Sequence, residues 1–367
     1  MQLRPRLAFA GQERGGPLSD LLRVTVVVPW IPLVTAAYRT RVARSTRNAS
    51  RRDDTVSPGL WTGALHCQPP GLFGGSLTLA IMIVAPWGVW SCSDHRLIPF
   101  DRQGDPTDTS IKHITVRCAD GEVLTTYAGL GAIKDDFHLS EWLRRLLRNE
   151  NWSLDQIIQR ISYWSTKRYG PLLAAHNRQH SFLVGGFSHG HPRAAEITNI
   201  RRSDWSVQNH FIVEKLEVPE LLISGKGQEA ITTKDWTLLR EMTHRRPKRR
   251  NAYMRVLAAV HRRAKLIGLP ESETISEGCI TTSMPPNYGT PETGDLEQLF
   301  HWSTPDAEPG KSLPDAPILG KGLDYTAAFE ASHLIAPYLE AGELPPQEAL
   351  DRWSDANRRG LVAPPDT

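Results

Sequence analysis

The order of secondary-structure signals in this chain predicts an α+β protein in which two sheets pack face to face with helices on their outer sides, a four-layer αββα sandwich. Three observations lead there. Two short apolar runs, TLAIMIVA and VWSCS, open the patterned part of the chain and look like strands buried on both faces. An Asp-Gly pair then joins two more strand-like runs, a strong hairpin signal. Beyond it the signals come in blocks: two helices, strands, two helices and a last strand.

Each element has its own justification. Residues 78–85 and 89–93 are two strands joined by Pro86-Trp87-Gly88. Residues 112–118 and 123–128 flank Asp120-Gly121. Leu139, Trp142, Leu143, Leu146 and Leu147 then form an i, i+3, i+4 stripe, so a helix is expected there, with Ser140 near its start. A second helix begins at Ser153, a good N-cap, with Asp155 in its first turn. Its apolar face is Leu154, Ile157, Ile158 and Ile161. Residues 181–187 and 193–199 are strands around a turn at 188–192, and residues 220–224 are a strand ending in Gly225-Lys226-Gly227. Helices near 234–243 and 251–267 and a strand at 274–283 complete the body. After Pro285 the chain becomes polar and Pro-rich, with weak helices near 327–339 and 346–356. Residues 286–367 therefore read as a partly disordered C-terminal extension.

Composition narrows the function classes. Hydrophobic residues make up 40% and charged residues 23% of the 367, ordinary for a soluble globular chain. The net charge of +3 is uneven: residues 1–76 hold ten Arg, four acidic residues and no Lys, about +6, which leaves the remainder about −3. A basic run at 244–250 lies between two expected helices on this acidic body, without interleaved aromatics, and reads as a solvated turn. Nucleic acid is thus not an expected partner. His189 and His191 flank Gly190 in a polar turn and read as exposed, so no metal is expected. Cys67, Cys92, Cys118 and Cys279 show no C-x-x-C pair, which fits thiols in a reducing, cytoplasmic setting.

Residues 1–77 read as a leader outside the fold: an over-extended start, a propeptide or a targeting segment. Their one apolar run, 24–37, is broken by Pro29 and Pro32, too interrupted for a spanning helix. The body at 78–285 is expected to need no membrane.

The most specific pattern lies between residues 78 and 129. Two strands end in Asp94-His95-Arg96, Lys112 opens a third strand, and Ala128-Gly129 closes a fourth before a helix carrying Trp142. Val184-Gly185-Gly186-Phe187 with Gly190-His191-Pro192 follows, then Gly225-Lys226-Gly227, then Glu273, Ser276 and Gly278. This order resembles the proteasome β-type subunits, members of the N-terminal-nucleophile (Ntn) hydrolases, over roughly residues 78–284. Counting back from Asp94 by that family's spacing lands on Thr78, whereas Ser76 lies two residues too far. Three positions depart from the pattern: Lys226 for a Ser, Glu273 for an Asp, and Leu77 where a processed propeptide has Gly.

The resemblance implies an Ntn-type sandwich and hydrolysis of an amide bond, most simply a peptide. Thr78 would be the nucleophile, and its α-amine, once freed, the base. Asp94 and Lys112 would support it, Gly129 would donate to the oxyanion, and Ser276 would complete the catalytic set. Arg96 and Glu273 would be supporting residues. No cofactor is called for, and a homo-oligomer is an expected partner. Two other readings stay open: a catalytically inactive relative serving binding or assembly, and an amidohydrolase acting on a small amide.

Overall fold

The structure is a computed structural model, and it describes residues 78–97, 100, 110–133, 137–148, 151–267, 275–284, 286, 317–320 and 323–361. In chain order the strands are β1 (Ala80–Ala85), β2 (Gly88–Asp94), β3 (Ile114–Cys118), β4 (Gly121–Ala128), β5 (Ala132–Ile133) and β6 (Phe137–His138). Helices α1 (Leu139–Leu147), α2 (Leu154–Arg168) and α3 (Gly170–Ala175) follow. Next come β7 (Ser181–Ser188), β8 (His191–Arg201), β9 (Ser206–Leu216), β10 (Glu220–Ser224) and a 3-10 turn at Lys226–Ala230. Helices α4 (Thr233–His244) and α5 (Arg250–Leu266) precede β11 (Cys279–Met284), β12 (Ile318–Gly320), β13 (Leu323–Asp324), α6 (Tyr325–Ala341) and α7 (Gln347–Leu361). The architecture is mixed sheet and helix, compatible with the α+β class.

Two large sheets carry it. One has the order β10-β1-β2-β11 and the other β13-β12-β3-β4-β7-β8-β9. Strand alternation divides their side chains among three apolar clusters. Ala80, Met82, Val84 and Val89 of the small sheet meet Leu124, Leu183, Phe187 and Ala194 of the large one. The opposite face of the small sheet, Leu79, Ile81, Ile83 and Trp90, packs on Leu239, Met242, Met254 and Leu257 of α4 and α5. Ile114, Val116, Val123, Tyr127, Phe182 and Val184 of the large sheet cluster with Leu139, Leu143, Ile157 and Ile161 of α1 and α2. Because β1 has apolar neighbours on both faces, all six of its residues are buried. That is why its sequence is continuously apolar and not alternating.

Turn chemistry sets the registers. The β3–β4 loop consists of Ala119 and Asp120, one residue earlier than the sequence suggests, with Gly121 already paired to Cys118. Gly121 is required by close approach, since a Cβ there would lie 1.9 Å from the Phe187 carbonyl oxygen. Asp120 then ties three elements together. Its carboxylate accepts from Leu154 N (2.8 Å) and from the Ser188 hydroxyl (2.6 Å), and its carbonyl accepts from His189 N (2.6 Å). The β7–β8 loop is His189-Gly190, with φ of 49° and 79°, the left-handed pair of a tight hairpin turn. Ser153 caps α2 in a full capping box with Gln156, satisfying two backbone donors. Ser140, by contrast, does not cap α1; His138 takes that position without a side-chain bond.

Two regions differ from the sequence expectation. An 11-residue strand, β9, forms the edge of the large sheet beyond β8. Only Phe211 of it is fully buried, so its sequence is polar and carries little strand signal. The C-terminal part also joins the sheet: β12 pairs in parallel with β3, Ile318 opposite Thr115 and Leu319 opposite Val116. A salt bridge from Arg144 of α1 to the buried Asp324 fastens this segment, and Asp324 also accepts from Ala327 N at the start of α6. Three residues are too few for a strand period to show in sequence.

Candidate active site

Thr78 precedes β1 at the end of the small sheet, and β1 runs antiparallel to β2, so Thr78 and Asp94 lie at the same end. The backbone locks this juxtaposition, with Asp94 N–H donating to the Leu79 carbonyl at 3.2 Å. Lys112, two residues before β3, reaches across from the large sheet. Its Nζ donates to Thr78 Oγ1 at 3.1 Å and to Asp94 Oδ1 at 2.8 Å. All three are buried: Thr78 is 2% exposed, Asp94 0% and Lys112 1%. An ammonium at that depth is tolerable only with paired charge and filled donor sites, which Asp94 and Thr78 help supply.

The neighbouring candidates fall into place to different degrees. Arg96 reaches Asp94 through its backbone N–H, 3.3 Å from Oδ2. Ser276 bonds to backbone: its hydroxyl accepts from His95 N at 2.9 Å and donates to Gly278 O at 2.6 Å. It therefore fixes the turn after Asp94, and these bonds do not involve Thr78. Glu273 lies outside the described residues. Gly129 sits at the end of β4 with φ +124°, a conformation that disfavours a side chain. A Cβ there would lie 2.6 Å from His180 Nδ1 and 2.7 Å from the Gln179 carbonyl oxygen.

The Gly225-Lys226-Gly227 loop closes on Thr78 from the other side. Gly227 N–H donates to the Thr78 carbonyl at 3.1 Å. Gly225 has φ +95°, and a Cβ there would lie 2.0 Å from that same oxygen. We therefore expect Gly225→Ala to displace Thr78 and to destabilise the protein by about 1–3 kcal/mol, the usual cost of a strained backbone. Thermal unfolding checks this; an unchanged melting temperature would show that the loop yields freely.

Sequence reasoning missed two features beside this centre. Tyr127 OH, Ser140 Oγ and Ser110 Oγ form a closed triangle of hydrogen bonds at 2.7, 3.1 and 3.3 Å. Burial, opposed by these two serines, raises the Tyr127 pKa, so it stays a neutral phenol. The second is His180, fully buried next to Gly129, whose pKa is lowered to about 3 by burial and then by the charge of Lys112. His189, in the β7–β8 loop, and His191, the first residue of β8, are both exposed.

No family model and no curated protein matches this chain. Solved structures do resemble it. Anbu (ancestral β-subunit) from Yersinia bercovieri is 13% identical, with 62% of this chain and 88% of that one covered at a TM-score of 0.40. Anbu from Hyphomicrobium sp. strain MC1 gives 11%, 62%, 88% and 0.38. The chain from the helical assembly of the Anbu complex of Pseudomonas aeruginosa gives 15%, 74%, 99% and 0.38. At such identities and scores these similarities assign no activity. They do correct the sequence expectation of a proteasome β-type subunit: the similar structures are Anbu chains, and no sequence family supports that membership. Among the described residues, no helix is long and apolar enough to cross a membrane.

Proposed function

We propose that this protein hydrolyses an amide bond, most simply in a peptide, with Thr78 as an N-terminal nucleophile on a four-layer αββα sandwich of the Ntn type. One observation carries the reading: a buried Lys112 ammonium bridging the Thr78 hydroxyl and the Asp94 carboxylate. A solvated strand-end lysine would have no reason to be there.

The chemistry follows from that arrangement. Once the bond before Thr78 is cut, its α-amine has an ordinary pKa of about 7.7–8.0 and can take the hydroxyl proton directly or through one water. The Lys112 cation disfavours a second positive charge nearby, which keeps the amine unprotonated, and its donated hydrogen bond stabilises the developing alkoxide. Oγ1 attacks the substrate carbonyl carbon, and the Gly129 N–H is the proposed donor to the oxyanion. Collapse breaks the C–N bond, the leaving amine takes the proton held on the α-amine, and water then hydrolyses the Thr78 ester. No cofactor enters this scheme. Asp94 holds Lys112, while the Ser276 turn and the Arg96 N–H hold Asp94. In this proposal residues 78–285 form the catalytic domain and residues 1–77 a leader. With the leader attached, the Thr78 nitrogen is an amide, and the chain is inactive.

The N-terminal residue of the protein purified from its native host tests the scheme. The active form is expected to begin at Thr78 by intact mass and N-terminal sequencing. Hydrolytic activity in a form that begins at Met1 would remove Thr78 from the chemistry.

A further inference from the structure

We infer that His180 is a positioning residue for the oxyanion pocket, holding the peptide that follows Gly129 through an acceptor bond from its ring. The inference rests on the N-terminal-nucleophile reading above and assigns that site a part it does not otherwise have.

The geometry is specific. His180 Nδ1 accepts the buried Leu130 N–H at 2.9 Å. A buried backbone donor needs such an acceptor, and at this turn no ladder partner supplies it. The acceptor nitrogen must be unprotonated, which puts the ring hydrogen on Nε2. Burial and the nearby Lys112 charge keep the ring in this neutral form. With Leu130 N–H tied inward, the Gly129–Leu130 peptide plane is fixed, which restrains the C-terminal side of the glycine whose N–H is the proposed oxyanion donor. Space enforces the contact as well, since Gly129 sits too close to the ring for any side chain of its own.

The ring itself is held rigidly. Asn199 clamps the His180 backbone, its Oδ1 accepting from His180 N at 2.7 Å and its own N–H donating to His180 O at 3.2 Å. The Asn199 Nδ2 donates to Arg178 O at 2.9 Å, fixing the amide's orientation. Around the ring, Phe182, Tyr169, Tyr127 and Phe211 have centroids at 4.6, 5.7, 5.8 and 5.8 Å. A phenylalanine would suit such a cage on packing grounds. A histidine there leaves Nε2 without a hydrogen-bond partner among the described residues, a cost with no return except through Nδ1. The acceptor is thus what this position requires.

Two substitutions separate the acceptor from the packing. His180→Phe keeps an aromatic ring and removes the acceptor. His180→Asn removes the ring but keeps an acceptor on the same side-chain carbon. Each would be made in the full-length protein carrying a protease site that ends directly before Thr78, cleaved after folding. The probe is a peptidyl epoxyketone, which forms an oxyanion when the Thr78 hydroxyl adds to its ketone. For His180→Phe, the maximal inactivation rate should fall about 10- to 100-fold, with the probe's half-saturation concentration within about twofold. His180→Asn should recover most of that rate despite packing less well. Leu130 amide exchange, read in the uncleaved proteins, should be slow in the parent and the Asn variant and fast in the Phe variant. A Phe variant that reacts like an active parent, or an Asn variant slower than the Phe variant, would reduce His180 to packing. If the cleaved parent itself does not react, the reading of the site fails instead, and His180 loses any catalytic meaning with it.

Discussion

A chain that starts at Thr78 is expected to be modified once by an amine- and hydroxyl-capturing electrophile, while the same chain with one residue retained ahead of Thr78 is not. The difference should be large. An acylated nitrogen cannot take a proton near neutral pH, and a positioned base contributes about 10²- to 10⁴-fold. Thr78→Ala removes the hydroxyl and should abolish labelling altogether. Its effect on stability should be confined to the lost acceptor for the Lys112 ammonium, about 1.5–3 kcal/mol, because the backbone bonds that anchor residue 78, from Gly227 N–H and through its neighbour Leu79 to Asp94 N–H, remain. Mass spectrometry of the labelled protein reads all three. Equal labelling of the trimmed and extended chains would mean that the nucleophile lies elsewhere.

Removing Lys112 should have the second largest effect, and on two quantities at once. Lys112→Ala strands the Asp94 carboxylate, which has no solvent exposure, and a buried charge left without its partner costs about 3–5 kcal/mol. Loss of activity in that variant alone would be ambiguous between chemistry and unfolding. The double variant Lys112→Met with Asp94→Asn removes both charges and keeps the volume, so most of the stability should return. Activity should not return, because the Thr78 hydroxyl has lost its cation; a deficit of about 10²- to 10³-fold is expected of a missing electrostatic contact. Chemical denaturation and labelling rates measured on the same samples separate the two. A stable double variant with parental reactivity would make the lysine structural.

Much of this was legible in the sequence, for reasons that can be named. Strands buried on both faces announce themselves, so β1, β2 and β7 lie close to where their apolar runs place them. The α2 cap was readable because Ser153 and Gln156 make local bonds that need no tertiary partner. Thr78, Asp94 and Lys112 could be picked out together only from the spacing of a resemblance. The structure brings them within hydrogen-bond reach, although the family named by that resemblance is not supported. What stayed hidden depends on distant partners. Strand β9 is polar because it is an edge, and β12 is too short to pattern. His180 carries no sequence signal of its own, because its partner Leu130 lies 50 positions away. The spacing that singles out Ser276 does not reveal its bonds, which run from the His95 N–H and to the Gly278 carbonyl.

The pairing of β12 with β3 also has a consequence in time. The two strands are about 200 residues apart, and at about 5–20 residues per second the later one leaves the ribosome roughly 10–40 s after the earlier. Throughout that interval the strand that follows Lys112 has an open edge, with Thr115 N–H lacking the Pro317 carbonyl that accepts from it in the finished protein. A nascent chain thus holds Thr78, Asp94 and Lys112 well before it holds the last support for the lysine's strand. A product truncated before residue 317 would contain every residue of the proposed chemistry and still lack the completed sheet beneath it. In the proposed scheme, the sheet edge next to Lys112 is therefore completed only after the chain has passed residue 319.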